Sequence, residues 1–449
     1  MEENMSGNLH VIVGLGVTAL SCARYLTEQN IPIAMADTRE TPPHLAQFKQ
    51  AYPNIPMVLG NLNDPLLDTA AKLIVSPGVS VHEPAIARQA ARGAVVVGDV
   101  ELFAQNAKAP VIAITGTNAK STVTTLVGEM ALAAGLQTQI GGNLGVPALD
   151  LLIEPNSELF VLELSSFQLE TTYSLAPKVA AILNITPDHM DRYETLEDYR
   201  AAKQRIFSQC QIAICNRDDP ATDAVDQYSE RKIQFTLQVP RANEFGLLTL
   251  NGKSYLAYED KALMPVSDLP VLGRHYQANA LAALAIGYGF GLPMKPMIET
   301  LIDFKGLEHR CQLVRERSNI SWYNDSKGTN VGATLAAIEG LGAEISGKLI
   351  LIAGGVGKNA DFSPLVPAIS KYVRTVILIG EAAPILAELL TDQADIRFAK
   401  SMDEAIAIAD QLAIAGDSVL LSPACASFDM FNNFEHRGKV FTEVVQGLK

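Results

Sequence analysis

Short apolar runs alternate with helix-length segments along most of this chain, a rhythm that predicts α/β units with parallel sheets. In the first hundred residues HVIVGLG (10–16), PIAMADT (32–38) and KLIVSPG (72–78) read as strands, and 18–30 reads as a helix. That series ends near Gly98. A second one opens with APVIAITG (109–116) and continues through ELFVLELSS (158–166) and VAAILNIT (179–186). Residues 232–265 break the rhythm: Asn251-Gly252 lies between two alternating runs, the signature of a β-hairpin. The alanine-rich segment 278–289 predicts a helix. After Gly306 a third series supplies GKLILIAGG, RTVILIG and DSVLLSPA as strands. There is no repeat of solenoid length and no low-complexity linker.

Composition narrows the class. A chain of 449 residues has room for roughly three domains at ~150 residues each. With 48% apolar and 19% charged residues, it has the make-up of a globular protein with several cores. A net charge of −14 argues against a general nucleic-acid binder, which carries a basic face. No apolar run approaches the ~20 residues of a membrane span. The opening MEENMSGNLH has neither a basic start nor an apolar h-region, so no secretory signal is expected. Five scattered cysteines fit a reducing cytoplasm. Cys210 and Cys215 have no partner pair at metal-ligand spacing and are expected in the core.

The segment TGTNAKST (115–122) joins a strand to a helix. Such a turn aims several N–H groups and a helix N-terminus at one point, which suits phosphate oxygens. Lys120 adds a cation for the β/γ-phosphates, and the hydroxyls of Ser121 and Thr122 suit Mg²⁺. The plainer reading is a capped helix with Thr117 or Asn118 as cap; the complete loop favours nucleotide binding. Ala119 stands where the common phosphate loop has glycine. A left-handed backbone there would cost alanine ~1–2 kcal/mol, so a negative φ is expected.

Glu163 ends one predicted strand and His189 follows the next. The C-terminal ends of parallel strands share one sheet edge, where ligands bind, so both should converge on the Gly116 loop as Mg²⁺ ligands. Taken singly, Glu163 reads as an ion-pair partner and His189 as a loop histidine. Lys203, on an amphipathic helix, reads as a solvated lysine. Near the N-terminus, GLGVTA (14–19) with Asp37 about twenty residues on fits the dinucleotide fingerprint, which by itself suggests an NAD enzyme.

The motifs GTNAKST, LELSSFQLE, NITPDHMDRY, YRAAK, LEHRCQLV, NDSKGTN and LLSPACASFDMFNNFEHRG together resemble the ATP-dependent Mur ligases of peptidoglycan synthesis, over essentially the whole chain. SPACAS, and the DTR after the second strand, are most similar to the D-glutamate-adding (MurD) type. The resemblance implies three α/β domains. A Rossmann-like domain over 1–98 would bind the UDP-sugar, and a central P-loop-type ATPase domain with a parallel sheet, over 99–306, would bind ATP and Mg²⁺. A C-terminal Rossmann-like domain, over 307–449, would close over both and bind the amino acid. It implies a ligase in cell-wall biogenesis, hence in cell shape and division. Its substrates would be ATP, UDP-N-acetylmuramoyl-L-alanine and D-glutamate, joined through an acyl phosphate in the cytoplasm by a monomer.

By the same resemblance Lys120, His189 and Lys203 are catalytic, and Lys203 is N-carboxylated. Two Mg²⁺ sites draw on Ser121, Thr122, Glu163, His189 and Lys203. ATP is held by residues 116–122 (Gly116, Thr117, Asn118, Ala119, Lys120, Ser121, Thr122) with Asn279, Arg310 and Asp325. The UDP-sugar is held by Val17, Thr18, Asp37, Thr38, Arg39, Ser76, Pro77 and Gly78, and its muramoyl part faces Asn143 and Ser165. D-Glutamate is held by Lys327, Thr329, Lys358, Ser427, Phe428 and Phe434. The chain departs from the family pattern at Ala119, Tyr276, Gly328 and Val356, none of which carries a charge of the chemistry. A related ligase such as folylpolyglutamate synthetase or a Mur ligase adding a different amino acid, a nicotinamide oxidoreductase and a non-catalytic nucleotide-binding regulator are the rival readings. The lack of a D-N-P-R motif, the intact Gly116 loop, and Lys120 with Glu163 and His189 count against them in turn.

Overall fold

The computed structural model describes residues 8–223, 231–271 and 273–449. Residues 1–7, on which the expectation about a secretory signal rests, lie outside that set. Among the described residues, three sheets organise the chain. The first runs Met57–Leu59, Ile33–Asp37, His10–Val13, Lys72–Val75, Val95–Val97, all parallel. The order reverses at His10–Val13, so this strand opens a crevice at its C-terminal end.

The second sheet has nine strands. Its parallel part is Thr138–Gly142, Leu159–Glu163, Val111–Thr115, Val179–Ile182, Ile212–Asn216, Arg231–Phe235 and Glu244–Leu250. Lys253–Tyr258 and Lys261–Pro265 then extend it antiparallel. The expected hairpin is present: Leu250 pairs with Lys253, and Asn251 and Gly252 take φ of 51° and 76°, as a tight primed turn needs. Strands such as Val111–Thr115 and Leu159–Glu163 are buried at every position, because helices cover both faces. On one face Val123, Leu126, Val127 and Met130 of helix Lys120–Ala133 share a core with Ala280, Leu281 and Leu284 of helix Arg274–Phe290.

The third sheet runs Gln312–Arg317, Ile320–Asn324, Ser418–Leu421, Leu349–Gly354, Val373–Ile379, Asp395–Phe398. Its first pair is an antiparallel hairpin that the apolar rhythm missed. QLVRER is mostly polar, and the turn relies on Ser318 and Asn319 at φ 53° and 60° with no glycine to mark it. Among the described residues no helix is long and apolar enough to cross a membrane.

Candidate active site

The Gly116 loop sits at the C-terminal end of strand Val111–Thr115, between strands Leu159–Glu163 and Val179–Ile182. The loop after the latter strand clamps it. Asn184 Oδ1 accepts from the Asn118 N–H at 2.8 Å, its Nδ2 donates to the Asn118 carbonyl at 3.2 Å, and its carbonyl accepts from the Thr117 N–H. The Ala119 carbonyl meanwhile accepts the first helical bond, from the Val123 N–H at 3.0 Å. Pinned on both sides, Ala119 is left-handed, with φ 66° and ψ −6°. The expected negative φ is therefore wrong, and the alanine carries the steric cost that glycine would avoid.

Lys120 folds back over its own loop, its Nζ donating to the carbonyls of Gly116 and Thr117 at 2.8 Å each. Lys203 reaches the same Gly116 carbonyl from below at 2.9 Å, with Thr115 Oγ1 at 3.4 Å and the Tyr199 ring 4.6 Å away. Lys203 is 1% exposed, so its reading as a solvated lysine fails. The amphipathic face of its helix is turned onto the loop. Burial, with the nearby Lys120 charge adding to it, pushes the Lys203 amine well below the ordinary lysine range.

Glu163 is buried at the neighbouring strand end. Its Oε1 accepts from Asn143 Nδ2 at 2.7 Å, while Oε2 is buried without a partner. A carboxylate oxygen left free beside a phosphate loop fits a cation. His189 packs edge-on to Phe167, ring centroids 4.9 Å apart. Burial lowers its imidazole, Asp188 pulls it back up, and Lys358 and Lys120 lower it again. Among the described residues no three His, Cys, Asp or Glu side chains form a metal cage. A Mg²⁺ here would take its other ligands from phosphate and water, as that ion usually does.

The third domain finishes the site. Arg310 Nη2 donates to Ser121 Oγ at 2.7 Å, across the domain boundary. Asp325 accepts from the Cys311 N–H and the Ser422 hydroxyl, and burial raises its carboxyl to about 6. A cavity of ≈ 300 Å³ lies between the loop and this domain. Ala119, Thr122, Asn279, Arg310, Asp325 and Lys327 line it, together with His275 and Tyr276. Tyr276, one of the departures, is buried with its hydroxyl unpartnered. Gly328, another, is closely packed: a Cβ there would lie 2.7 Å from Asp325 Oδ2.

Of the six residues assigned to the amino acid, Lys327 lines that cavity and the other five do not. Lys327 Nζ stacks 3.7 Å above the Phe434 ring, and burial lowers its amine to about 8. Thr329 donates its N–H to the Lys327 carbonyl, Ser427 is buried, and Phe428 stands 72% exposed. Lys358 is felt electrostatically at His189. Asn330, which no sequence argument singled out, donates from Nδ2 to Asn118 Oδ1 at 3.1 Å and to Asp188 Oδ2 at 3.0 Å. An asparagine before a helix is an ordinary cap signal, and nothing in its spacing announces contacts over 142 and 212 residues.

A second cavity, of ≈ 580 Å³, opens at the switch point of the first sheet. Val17, Thr18, Asp37, Thr38, Arg39, Ser76, Pro77 and Gly78 line it, and Asn143 and Gln168 of the central domain close one wall. Ser165 is not among its lining residues; it caps the helix Ser166–Glu170 in a capping box with Gln168. Gly14 turns the chain at φ 92°, and a Cβ there would strike Val79 at 2.7 Å. Asp37 accepts from the Leu15 N–H at 2.7 Å and from Arg39 through Nε at 2.9 Å and Nη2 at 2.8 Å. Burial alone would raise its carboxyl, but Arg39 and the two N–H groups outweigh it and hold the group below the usual range. A carboxylate so occupied has little left for a ribose diol, which removes the main support for the NAD reading.

Comparison with known proteins agrees with this layout. Three family models match: the MurD-like N-terminal domain of Mur ligases over 8–98, the Mur ligase middle domain over 114–287, and the Mur ligase glutamate ligase domain over 309–425. The chain is 52% identical over 443 residues to a UDP-N-acetylmuramoylalanine–D-glutamate ligase of Coxiella burnetii, covering 99% of this chain and 100% of the relative. The enzyme of the same name from Pseudomonas aeruginosa is 49% identical, with 99% of each chain covered. Among solved structures, the UDP-N-acetylmuramate-alanine ligase MurC of Thermotoga maritima superposes with a TM-score of 0.61 at 18% identity, over 98% of this chain and 100% of that one. At that identity it speaks for the fold.

Proposed function

The chain belongs to the Mur ligase family, and from that premise we propose that it joins D-glutamate to UDP-N-acetylmuramoyl-L-alanine in an ATP-dependent reaction. The observation that carries the reading is the meeting of Lys120 and Lys203 on one carbonyl, at 2.8 and 2.9 Å, under a phosphate loop that Arg310 reaches from the third domain.

In this reading the L-alanyl carboxylate attacks the γ-phosphorus of ATP, forming an acyl phosphate and releasing ADP. The amine of D-glutamate then attacks the acyl carbon, loses a proton, and phosphate departs as the amide forms. Several anions must meet, so cations are required between them. Lys120 follows the β/γ-phosphates. Arg310 comes with the closing domain and bridges loop and phosphate. Two Mg²⁺ ions held around Ser121, Thr122, Glu163, His189 and Lys203 would supply further charge neutralisation. Asn279 and Asp325 belong to the ATP site on this reading.

Lys203 is the residue that N-carboxylation would change most. Carbamate formation needs a neutral amine: its nitrogen adds to CO₂ and a proton leaves. Burial and Lys120 favour the neutral amine. The product is an anion close to Lys120 and Glu163, in place of a neutral amine. The switch-point cavity of the first domain, with Asn143 in its wall and Ser165 beyond it, takes the UDP-sugar. Lys327, Thr329, Lys358, Ser427, Phe428 and Phe434 take D-glutamate, the lysines pairing with its carboxylates. The enzyme works as a monomer in the cytoplasm, in the domains 1–98, 99–306 and 307–449.

The test is ADP release with an amino-acid panel. Release should require both UDP-N-acetylmuramoyl-L-alanine and D-glutamate. Turnover with neither, or a preference for another amino acid such as diaminopimelate, would sink the assignment.

A further inference from the structure

We propose that Asn330 is a positioning residue that couples seating of the third domain to the shape of the phosphate loop and of the His189 segment. The inference rests on the ligase reading and adds to it a residue with no role there.

Asn330 is the cap of helix Val331–Gly342, its Oδ1 accepting from the Ala333 N–H at 2.9 Å. The oxygen caps the helix and also accepts from Asn118 Nδ2 at 3.4 Å, and the amide hydrogens are left for the central domain. One goes to Asn118 Oδ1 and the other to Asp188 Oδ2, at 3.1 and 3.0 Å. Asn118 lies in the phosphate loop, and Asp188 precedes His189, whose Nε2 is 3.8 Å from that same Oδ2. A single side chain of the third domain therefore holds two strand-end loops of the central one. It is nearly buried, at 9% exposure, so these bonds form away from competing water.

The approach is built for close contact. A Cβ at Gly332, on the first turn of the same helix, would lie 3.1 Å from Thr186 Oγ1 and 3.4 Å from Asn118 Nδ2. Thr186 Oγ1 is itself buried and unpartnered. Such a seam makes its bonds only when the third domain is fully down, and the partners it grips are the loop beside the phosphates and the residue that steers His189. Seating of the domain then sets the reacting geometry, as closure does in many enzymes.

The capping role and the coupling role separate in Asn330→Ser. Serine caps a helix about as well as asparagine but is too short to reach Asn118 and Asp188. The experiment measures D-glutamate-dependent ADP release and thermal unfolding of the full chain. Asn330→Ser should lower kcat at least tenfold, leave KM for the UDP-sugar within twofold, and leave the unfolding temperature unchanged. Asn330→Asp sets two carboxylates face to face and should be worse, and Asn330→Asp with Asp188→Asn restores a donor–acceptor pair and should recover activity above Asn330→Asp alone. Wild-type kcat in Asn330→Ser, or no recovery in the swap, overturns the coupling. An inactive wild type overturns the ligase reading instead.

Discussion

The two cavities start from the same device and end differently. Each lies at the C-terminal end of a parallel strand, where a tight turn feeds a helix N-terminus. In the first domain the helix Val17–Glu28 brings no cation of its own to the turn. Its positive charge is Arg39, locked onto Asp37. In the central domain Lys120 opens the helix, Lys203 comes up beneath it, and Arg310 arrives from another domain. The first cavity holds balanced charge and is complete with one wall borrowed from its neighbour. The second sets Lys120 and Arg310 among the carboxylates of Glu163, Asp188 and Asp325, drawn from two domains, and is finished only by the third domain. On the proposed reading, backbone geometry offers both sites an anion seat, and the side chains decide whether the seat only holds a ligand or also drives a reaction.

That contrast can be broken at several points. The largest effect is expected from Lys203→Ala, which should lower turnover by on the order of 10²–10³-fold, the range for removing one charge-stabilising group. Millimolar bicarbonate should not restore it, whereas a short carboxylate such as acetate should restore part. Full activity of the plain variant would end the case for a catalytic lysine there. A binding residue should behave otherwise. Arg39→Ala is expected to raise KM for the UDP-sugar about tenfold, or ~1.4 kcal/mol, with kcat within about twofold. A kcat loss to match Lys203→Ala would erase the distinction between the two cavities. The smallest effect belongs to Ala119→Gly. Relief of a left-handed alanine, ~1–2 kcal/mol, less the extra entropy glycine loses on folding, ~0.5–1 kcal/mol, leaves a gain of up to ~1.5 kcal/mol. Urea unfolding reads it, and a loss of stability would show that the loop does not strain its alanine.

Much of this was legible before folding was considered. The short apolar runs and their spacing located the α/β units, Asn251-Gly252 marked its hairpin, and strand-end logic placed Glu163 and His189 beside the Gly116 loop. Three things were not legible. The φ of Ala119 is dictated by Asn184, 65 residues later in the chain. Lys203 reads as an ordinary helical lysine until its helix is seen lying on the loop. Asn330 reads as a cap because its other three bonds cross to a different domain.

The sequence by itself determined the strand and helix rhythm, the phosphate-type turn and the kinds of charged group available to the chemistry. These depend on local periodicity and on residue type, which are properties of short stretches. Only the tertiary structure decided which charges are buried, which share an oxygen and which carboxylate oxygen is left free. Those depend on distances between segments far apart in the chain, and on the loss of water that packing imposes.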